Sequence, residues 1–336
     1  MRAVQWEGAA VGDDFVSFME TCVQCRGCEP ACPSGVPYGR LQEGVREVLA
    51  SQHRVAPRWQ RAAFAMLPRH RLLLAGSSAL AAAQRLRLVP KRLGLQRLAL
   101  RRPPRVRATG TDAWLFTGCV MDAWQRHTHV ATAKVLAHLG VGYAVPGPGG
   151  GCCGALHTHA GLAPQARTLA EAVMRSMPGD APILVNSAGC GAAMKEYGRL
   201  LGTPAAEAFS ARVQDIHEFV AARVGELRPT RHMGSVVVQD PCHLRHVQKV
   251  HSAVRTVLGA VAEVVELDDD GLCCGAGGAY SVMQPELAGD IRERKLASLA
   301  RAGGGLVASA NPGCAMHLAA AGARVQHPMD IVAAAL

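Results

Sequence analysis

The sequence is poor in aromatic residues and has no long apolar segment. Phe, Trp and Tyr make up 4% of the chain, so its core must consist mainly of Ala, Val and Leu. The longest nearly apolar run, residues 72–83, is shorter than the roughly 20 residues that a helix needs to cross a bilayer. The N-terminal sequence MRAVQWEGAAVGDDF lacks the apolar stretch of a secretory signal. For 336 residues, these absences predict a globular cytoplasmic protein of two or three domains.

Acidic residues are missing from one part of the chain. Between Arg54 and Arg107 there are fourteen Lys or Arg residues and no Asp or Glu, in a chain whose net charge is +10. Such a segment can bind a membrane surface with anionic lipids, nucleic acid or an acidic partner subunit. It can equally be a solvated helical face. Nothing that resembles a nucleic-acid-binding module accompanies the segment, so no nucleic acid is expected as a partner.

The second part of the chain alternates between strand and helix patterns. Residues 1–107 show no strand pattern and predict short helices, and the sequence RRPPRVRATG is typical of a linker. Helices are expected over residues 123–139, ending before Gly140, and over residues 286–302, after Pro285. The strand candidates are AWLFTG, VGYAV, PILVNSA, SVVVQD, AEVVEL and GLVASA. This alternation predicts parallel α/β layers.

Four cysteine positions in this second part recur along the chain. Cys119, Cys152, Cys153 and Cys190 are followed by Cys242, Cys273, Cys274 and Cys314, at offsets of 123, 121, 121 and 124 residues. Offsets this constant predict two copies of one α/β unit. We expect the two copies to face each other, with both cysteine sets in loops beyond the carboxyl ends of strands.

A continuous cysteine run lies near the N-terminus. It reads Cys22-x2-Cys25-x2-Cys28-x3-Cys32 and is followed by Pro33. This is the ferredoxin spacing, in which three thiolates bind one [4Fe–4S] cluster and the fourth usually reaches a different one. Zinc is the main alternative, but zinc sites generally use two separated Cys-x2-Cys pairs. We therefore predict that the four cysteines of the run bind a [4Fe–4S] cluster.

The recurring sites place two adjacent cysteines in glycine-rich turns, GPGGGCCGALH and DGLCCGAGGAY. A disulfide between neighbouring cysteines is strained, whereas glycines let backbone N–H groups approach an anionic cluster. Cys119 and Cys190 would approach from two other strand ends of the first repeat, and Cys242 and Cys314 from those of the second. The twelve cysteines thus form three groups of four, which predicts a metal site at each group and further iron–sulfur clusters in the repeats.

Histidines beside these cysteines are weaker candidates. His317 lies three residues after a cysteine of the second repeat and could bind or hydrogen-bond a cluster. The others are most often polar loop or helix residues. They are His157, His159, His243 and His246.

The fold class expected from these patterns is α plus α/β. Residues 1–52 are predicted to form a helical [4Fe–4S] ferredoxin-type domain, and residues 53–110 a basic helical linker. Residues 111–232 and 233–336 are predicted to form the two cysteine-rich repeats.

These motifs resemble a known family. The Cys…Cys-Cys-Gly…Cys pattern is similar to the cysteine-rich domain of heterodisulfide reductases. The order of ferredoxin run, basic linker and two repeats resembles the iron–sulfur subunit of glycolate oxidase, over almost the whole chain. The segments that carry this resemblance are TCVQCRGCEPACPSGVPYGRL, NSAGCGAAMKEYG, DPCHLRHVQK and LCCGAGGAYSVMQPELAGDIRERKLASL.

The resemblance implies the electron-transfer subunit of a flavin-dependent dehydrogenase that acts on a 2-hydroxyacid such as glycolate or lactate. A partner subunit with FAD would oxidise the hydroxyacid, and electrons would pass singly through this chain to a quinone or another acceptor. The chain has no flavin motif, so the hydride chemistry would belong to the partner, and no catalytic residue is expected here. The implied location is the cytoplasm, with the inner face of the cell membrane as a docking surface.

The chain departs from its relatives in two ways. The relatives carry two ferredoxin runs, whereas this chain has only the second. A truncated N-terminus would explain this difference. Cys32 therefore either lacks its cluster or completes that of the other three cysteines. Heterodisulfide reductase repeats end in Cys-x2-Cys, whereas here Ala193 and His317 replace the second cysteine. This argues against a non-cubane cluster, although a thiol–disulfide oxidoreductase and a non-redox zinc scaffold stay open as alternatives.

Overall fold

The N-terminal part of the chain is helical. The computed structural model describes residues 1, 8, 11–89 and 96–336. Before Ala113, the described residues contain helices and no strand, as predicted. The helices are α1 (Asp13–Glu20), α2 (Cys28–Ala31), α3 (Tyr38–Ser51), α4 (Arg58–Met66) and α5 (His70–Arg85). The last two belong to the basic segment, of which residues 90–95 lie outside the described residues. The likeness to a ferredoxin domain stays a prediction.

The first repeat is built around a four-stranded parallel sheet with strand order β2-β1-β3-β4. Its strands are β1 (Ala113–Phe116), β2 (Tyr143–Ala144), β3 (Ile183–Val185) and β4 (Val213–Asp215). Its helices are α6 (Val120–Trp124), α7 (Arg126–His138), α8 (Ala155–His159), α9 (Ala163–Ser176), α10 (Ala188–Lys195), α11 (Tyr197–Leu201), α12 (Pro204–Ala211) and α13 (Ile216–Ala221), followed by a 3₁₀ turn at Val224–Glu226.

The second repeat has the same topology, with strand order β6-β5-β7-β8 in a second parallel sheet. Its strands are β5 (Ser235–Gln239), β6 (Glu263–Val265), β7 (Leu306–Ser309) and β8 (Arg324–Gln326). Its helices are α14 (His251–Gly259), α15 (Tyr280–Met283), α16 (Pro285–Arg301), α17 (Pro312–Ala319) and α18 (Pro328–Ala335), and a π-helix covers His243–Gln248.

The two repeats share one apolar core. The strands are short and apolar because both faces of a parallel sheet are covered, and Ile183, Leu184 and Val185 of β3 are fully buried. The largest buried cluster joins Leu136 of the first repeat to Leu258 of the second. The repeats therefore pack against each other through their helices.

The sequence predicted most of these elements. All six strand candidates are strands, their sheets are parallel, and the helix expected at residues 286–302 is Pro285–Arg301. The helix expected at residues 123–139 is instead two helices, because the backbone of Gln125 leaves the helical region with φ −130°. Strands β4 and β8 were not predicted. Within the described ranges, no helix has both the length and the apolar character that crossing a bilayer requires.

Candidate metal centres

The cysteines of each repeat meet at one edge of its sheet. In the first repeat Cys119 follows β1, Cys152 and Cys153 follow β2, and Cys190 follows β3. The thiols of Cys119 and Cys152 are neighbours, and so are those of Cys153 and Cys190. The edge lies where strand order reverses between β1 and β3, which is the common ligand site of open parallel sheets. The expected placement beyond the strand carboxyl ends is confirmed.

The second repeat repeats this arrangement. Cys242 follows β5, Cys273 and Cys274 follow β6, and Cys314 follows β7. The thiols of Cys242 and Cys273 are neighbours, and so are those of Cys274 and Cys314. Each repeat therefore collects four thiols from the same three strand ends.

These thiols are largely buried, so that ionising one of them without a nearby positive charge is energetically unfavourable. Burial and thiol neighbours raise the pKa of several well above the ordinary value. A hydrogen bond with Cys152, then burial, raises the pKa of Cys119, and Cys190 and burial do the same for Cys153. In the second repeat, Cys273 and burial raise the pKa of Cys242. A bound metal supplies the positive charge that buried sulfurs need to ionise. Four thiols with apolar surroundings are a donor set that fits an iron–sulfur cluster.

The turn after each cysteine pair brings backbone close to sulfur. The N–H of Gly275 donates to the Sγ of Cys273 at 3.4 Å. Gly275 has φ +86°, and a Cβ there would lie 2.5 Å from the carbonyl oxygen of Ala288. Only glycine suits such a position. The glycines in these motifs therefore serve close packing as well as contact with sulfur.

The described side chains are not arranged to bind a single metal ion. Among residues 1, 8, 11–89 and 96–336, no three His, Cys, Asp or Glu side chains converge closely enough to hold one metal ion. The ligand roles of the twelve cysteines stay a prediction.

Three cysteines of the ferredoxin run lie near one another, and the fourth has different neighbours. Cys22 and Cys25 lie between α1 and α2, and Cys28 begins α2. These three are close enough for the charge of one thiolate to raise the pKa of another. Cys32 instead lies beside backbone N–H groups at Val36 and Ser34, which lower its pKa. The structure thus places Cys22, Cys25 and Cys28 near one another and sets Cys32 beside backbone N–H groups.

The run lies against both repeats. The thiol of Cys25 lies beside that of Cys273 in the second repeat, close enough to raise the pKa of Cys25. On the same side, the hydroxyl of Tyr280 donates to the carbonyl oxygen of Thr21 at 2.9 Å. On the other side, Arg26 forms an ion pair of 2.8 Å with Glu196 of the first repeat. The ferredoxin run is therefore held at the interface between the repeats.

Two ion pairs hold the loop before Cys273. The Nζ of Lys295 on α16 lies 2.6 Å from the Oδ2 of Asp269, and Arg301 on the same helix lies 2.6 Å from Asp268. Asp269 also accepts a hydrogen bond of 3.1 Å from the N–H of Gly271. Sequence reasoning missed these residues. The only signal was the acidic triplet before the motif LCCG.

Among the histidines, His243 is nearest to a predicted ligand. Its Nδ1 lies 3.5 Å from the Sγ of Cys242, whereas the Nε2 of His317 lies 3.3 Å from the carbonyl oxygen of Ala288. His159 and His243 pack ring to ring, with centroids 5.3 Å apart. Burial lowers the pKa of His243 to about 4 and that of His159 to about 3, so both are neutral at pH 7.

Known proteins are similar to this chain in sequence. The Cysteine-rich domain family matches residues 113–195 and 236–319, which contain the two cysteine sets. The chain is 32% identical to the glycolate oxidase iron–sulfur subunit of Escherichia coli, over 98% of this chain and 85% of the relative. It is 30% identical to the probable glycolate oxidase iron–sulfur subunit of Bacillus subtilis, over 95% of this chain and 80% of the relative. Lactate utilization protein A of Geobacillus kaustophilus is 25% identical over 65% of this chain and 94% of that protein. The chain belongs to the family of glycolate oxidase iron–sulfur subunits.

Proposed function

We propose that this chain is the iron–sulfur electron-transfer subunit of a dehydrogenase that oxidises a 2-hydroxyacid of the glycolate or lactate type. The names of its relatives support an oxidoreductase whose iron–sulfur clusters lie in this subunit. The division into a ferredoxin-type domain (1–52), a basic linker (53–110) and two repeats (111–232 and 233–336) is part of the proposal.

The contact between Cys25 and Cys273 carries this proposal. It joins the ferredoxin run to the second repeat through two predicted ligands, so a cluster at either site would adjoin the other. A purely structural pair of metal sites needs no such contact. A chain that passes electrons from site to site does, because transfer requires neighbouring centres.

The proposed ligands form three sets. Cys22, Cys25 and Cys28 would hold a [4Fe–4S] cluster, with Cys32 a predicted fourth ligand by its place in the run. The set of the first repeat is Cys119, Cys152, Cys153 and Cys190, and that of the second is Cys242, Cys273, Cys274 and Cys314. When bound, these clusters take up and release single electrons. The residues of this chain exclude water from the sites and, at Gly275, donate a backbone hydrogen bond to a ligand sulfur.

The partners follow from the chemistry that this chain lacks. We propose that a partner subunit holds the FAD and oxidises the hydroxyacid, and that a quinone or another acceptor takes the electrons. The basic segment is the proposed docking surface for that partner or for the inner face of the membrane. Its helices α4 and α5 expose Trp59 and Leu72 beside basic residues such as Arg58 and Arg71. This combination suits a surface that is both anionic and partly apolar.

Metal analysis of anaerobically purified protein tests the proposal. Iron and acid-labile sulfide are expected at about four each per chain or more, since one cubane cluster needs four of each. Electron paramagnetic resonance of the reduced protein should show iron–sulfur signals. Stoichiometric zinc without sulfide would instead establish the zinc scaffold.

A further inference from the structure

Two equivalent polar residues lie between the cysteine sets of the repeats. Ser187 and Asn311 each stand three residues before a predicted ligand, Cys190 and Cys314 respectively. Each is the N-cap residue of the helix that carries the cysteine. Ser and Asn are favoured N-caps because their side chains usually accept a hydrogen bond from the first turn of their own helix. Neither side chain does so here.

The side chain of Asn311 bonds across the interface instead. Its Oδ1 accepts from the N–H of Gly189 at 3.2 Å and from the hydroxyl of Ser187 at 3.3 Å. Its Nδ2 donates to the Sγ of Cys314 at 3.4 Å. A backbone N–H can only donate, so Gly189 fixes the orientation of the amide. The Nδ2 group must therefore face the sulfur.

Ser187 completes the contact on the other side. Its hydroxyl has one proton and donates it to Asn311, so it does not also donate to the sulfur of Cys190. Ser187 is 4% exposed, so water competes little for this bond. Beside it, the N–H of Ala188 donates to the carbonyl oxygen of Ala310 at 3.1 Å, which fixes the two loops against each other. The amide of Asn311 thus bonds both to the loop of the first repeat and to the sulfur of Cys314.

We propose that Asn311 is a positioning residue that tunes the second repeat's cluster, held in place by the loop of the first repeat. The proposal rests on the proposed function, because it takes Cys314 as a cluster ligand. An N–H or O–H donated to a ligand sulfur stabilises the more negative, reduced cluster. The amide of Asn311 should therefore raise the reduction potential of the second repeat's cluster.

Redox titration followed by electron paramagnetic resonance tests this on the full chain with its clusters. Cys119→Ser and Cys242→Ser, one in each repeat, assign the signals. The isosteric Asn311→Asp keeps the acceptor for Gly189 but removes the donor to Cys314. It should lower the equilibrium constant for one-electron reduction of the second repeat's cluster about tenfold or more. This corresponds to a decrease of about 59 mV or more in the reduction potential. Asn311→Ala should lower the same potential with no added charge.

Two matched variants separate tuning from packing. Ser187→Ala removes one of the two bonds to the Oδ1 of Asn311 and leaves that from Gly189, so it should lower the potential of the second repeat's cluster less than Asn311→Ala does and leave that of the first close to wild type. Ser309→Ala should change neither potential, because the hydroxyl of Ser309 donates to Gln239 at 2.7 Å, and the structure gives it no hydrogen bond to a cysteine. Unchanged potentials in both Asn311→Asp and Asn311→Ala would overturn the inference. Wild-type protein without iron–sulfur signals would overturn the proposed function itself.

Discussion

The buried pair of Lys295 and Asp269 makes a specific prediction about the second repeat. The side chain of Lys295 is fully buried and that of Asp269 is 7% exposed, with 2.6 Å between Nζ and Oδ2. Lys295→Met keeps the length of the side chain and removes its charge. The carboxylate of Asp269 would then stay buried without a counter-ion, in the loop that leads to Cys273.

The structure supplies a control for the magnitude. Arg301 and Asp268 join the same helix to the same loop, but their side chains are 57% and 55% exposed. Breaking a buried pair by removing one partner costs about 3–5 kcal/mol, whereas an exposed pair contributes about 0–1 kcal/mol. Lys295→Met should therefore lower the free energy of unfolding of the second repeat several times more than Arg301→Ala does.

Anaerobic denaturation, followed by circular dichroism and by the iron–sulfur signal of the second repeat, measures both effects. The double variant Lys295→Met/Asp269→Asn should recover much of the loss, because the amide is neutral and its oxygen can still accept from Gly271. The signal of the first repeat should survive in every variant. If Lys295→Met costs no more than Arg301→Ala, the buried pair does not stabilise the loop and the reasoning is wrong.

Three further predictions concern function and pH. Cys273→Ser should abolish electron transfer from hydroxyacid to quinone while stopped-flow reduction of the partner's flavin stays normal, because serine is a hard ligand of high pKa; wild-type quinone reduction would contradict the proposed path. The protein should sediment with anionic vesicles at low salt and be released by salt, since each basic residue contributes about 1 kcal/mol near such a surface; equal binding to neutral vesicles would argue against it. Burial lowers the pKa of His129 and of His159, to about 4 and about 3. Below pH 6.5 the unfolded chain therefore binds protons that the folded chain does not, and stability should fall as the pH decreases from 7 to 5, by up to about 1.4 kcal/mol per pH unit for each histidine. A shallower slope in His129→Gln, measured by denaturation, would support this, and an identical slope would count against it.

The sequence predicted the parts of the fold that depend on local pattern. Apolar runs gave six strands, and the constant cysteine offsets gave two units of equal topology. The strands β4 (VQD) and β8 (RVQ) were not predicted, because each has only three residues and some of them are polar. As an edge strand of its sheet, a strand this short is defined by pairing with its neighbour, as Asp215 pairs with Val185, and not by its own composition.

The sequence predicted which cysteines come together in each repeat, but not the tertiary contacts around them. Spacing identified all the cysteines that converge in each repeat. It also set Cys32 apart, because the fourth cysteine of a ferredoxin run usually reaches a different cluster. It could not find Lys295 or Asn311. Each makes its contact with a residue 26 or more positions away along the chain, and neither belongs to a recognisable motif.

The two repeats share a topology but offer their cysteines different surroundings. Cys273 contacts Cys242 and Cys274 in its own set and also Cys25 in the ferredoxin run. Its equivalent, Cys152, neighbours Cys119 of its own set, and an open cleft lined in part by Cys153 and Ala193 adjoins the first repeat. Loss of the sulfur at Cys273 therefore disturbs two predicted clusters, whereas loss at Cys152 disturbs one. Equal losses of iron in Cys152→Ser and Cys273→Ser would mean that the contact with Cys25 is incidental, and a larger loss in Cys273→Ser would mean that the ferredoxin run and the second repeat form one electron-transfer unit.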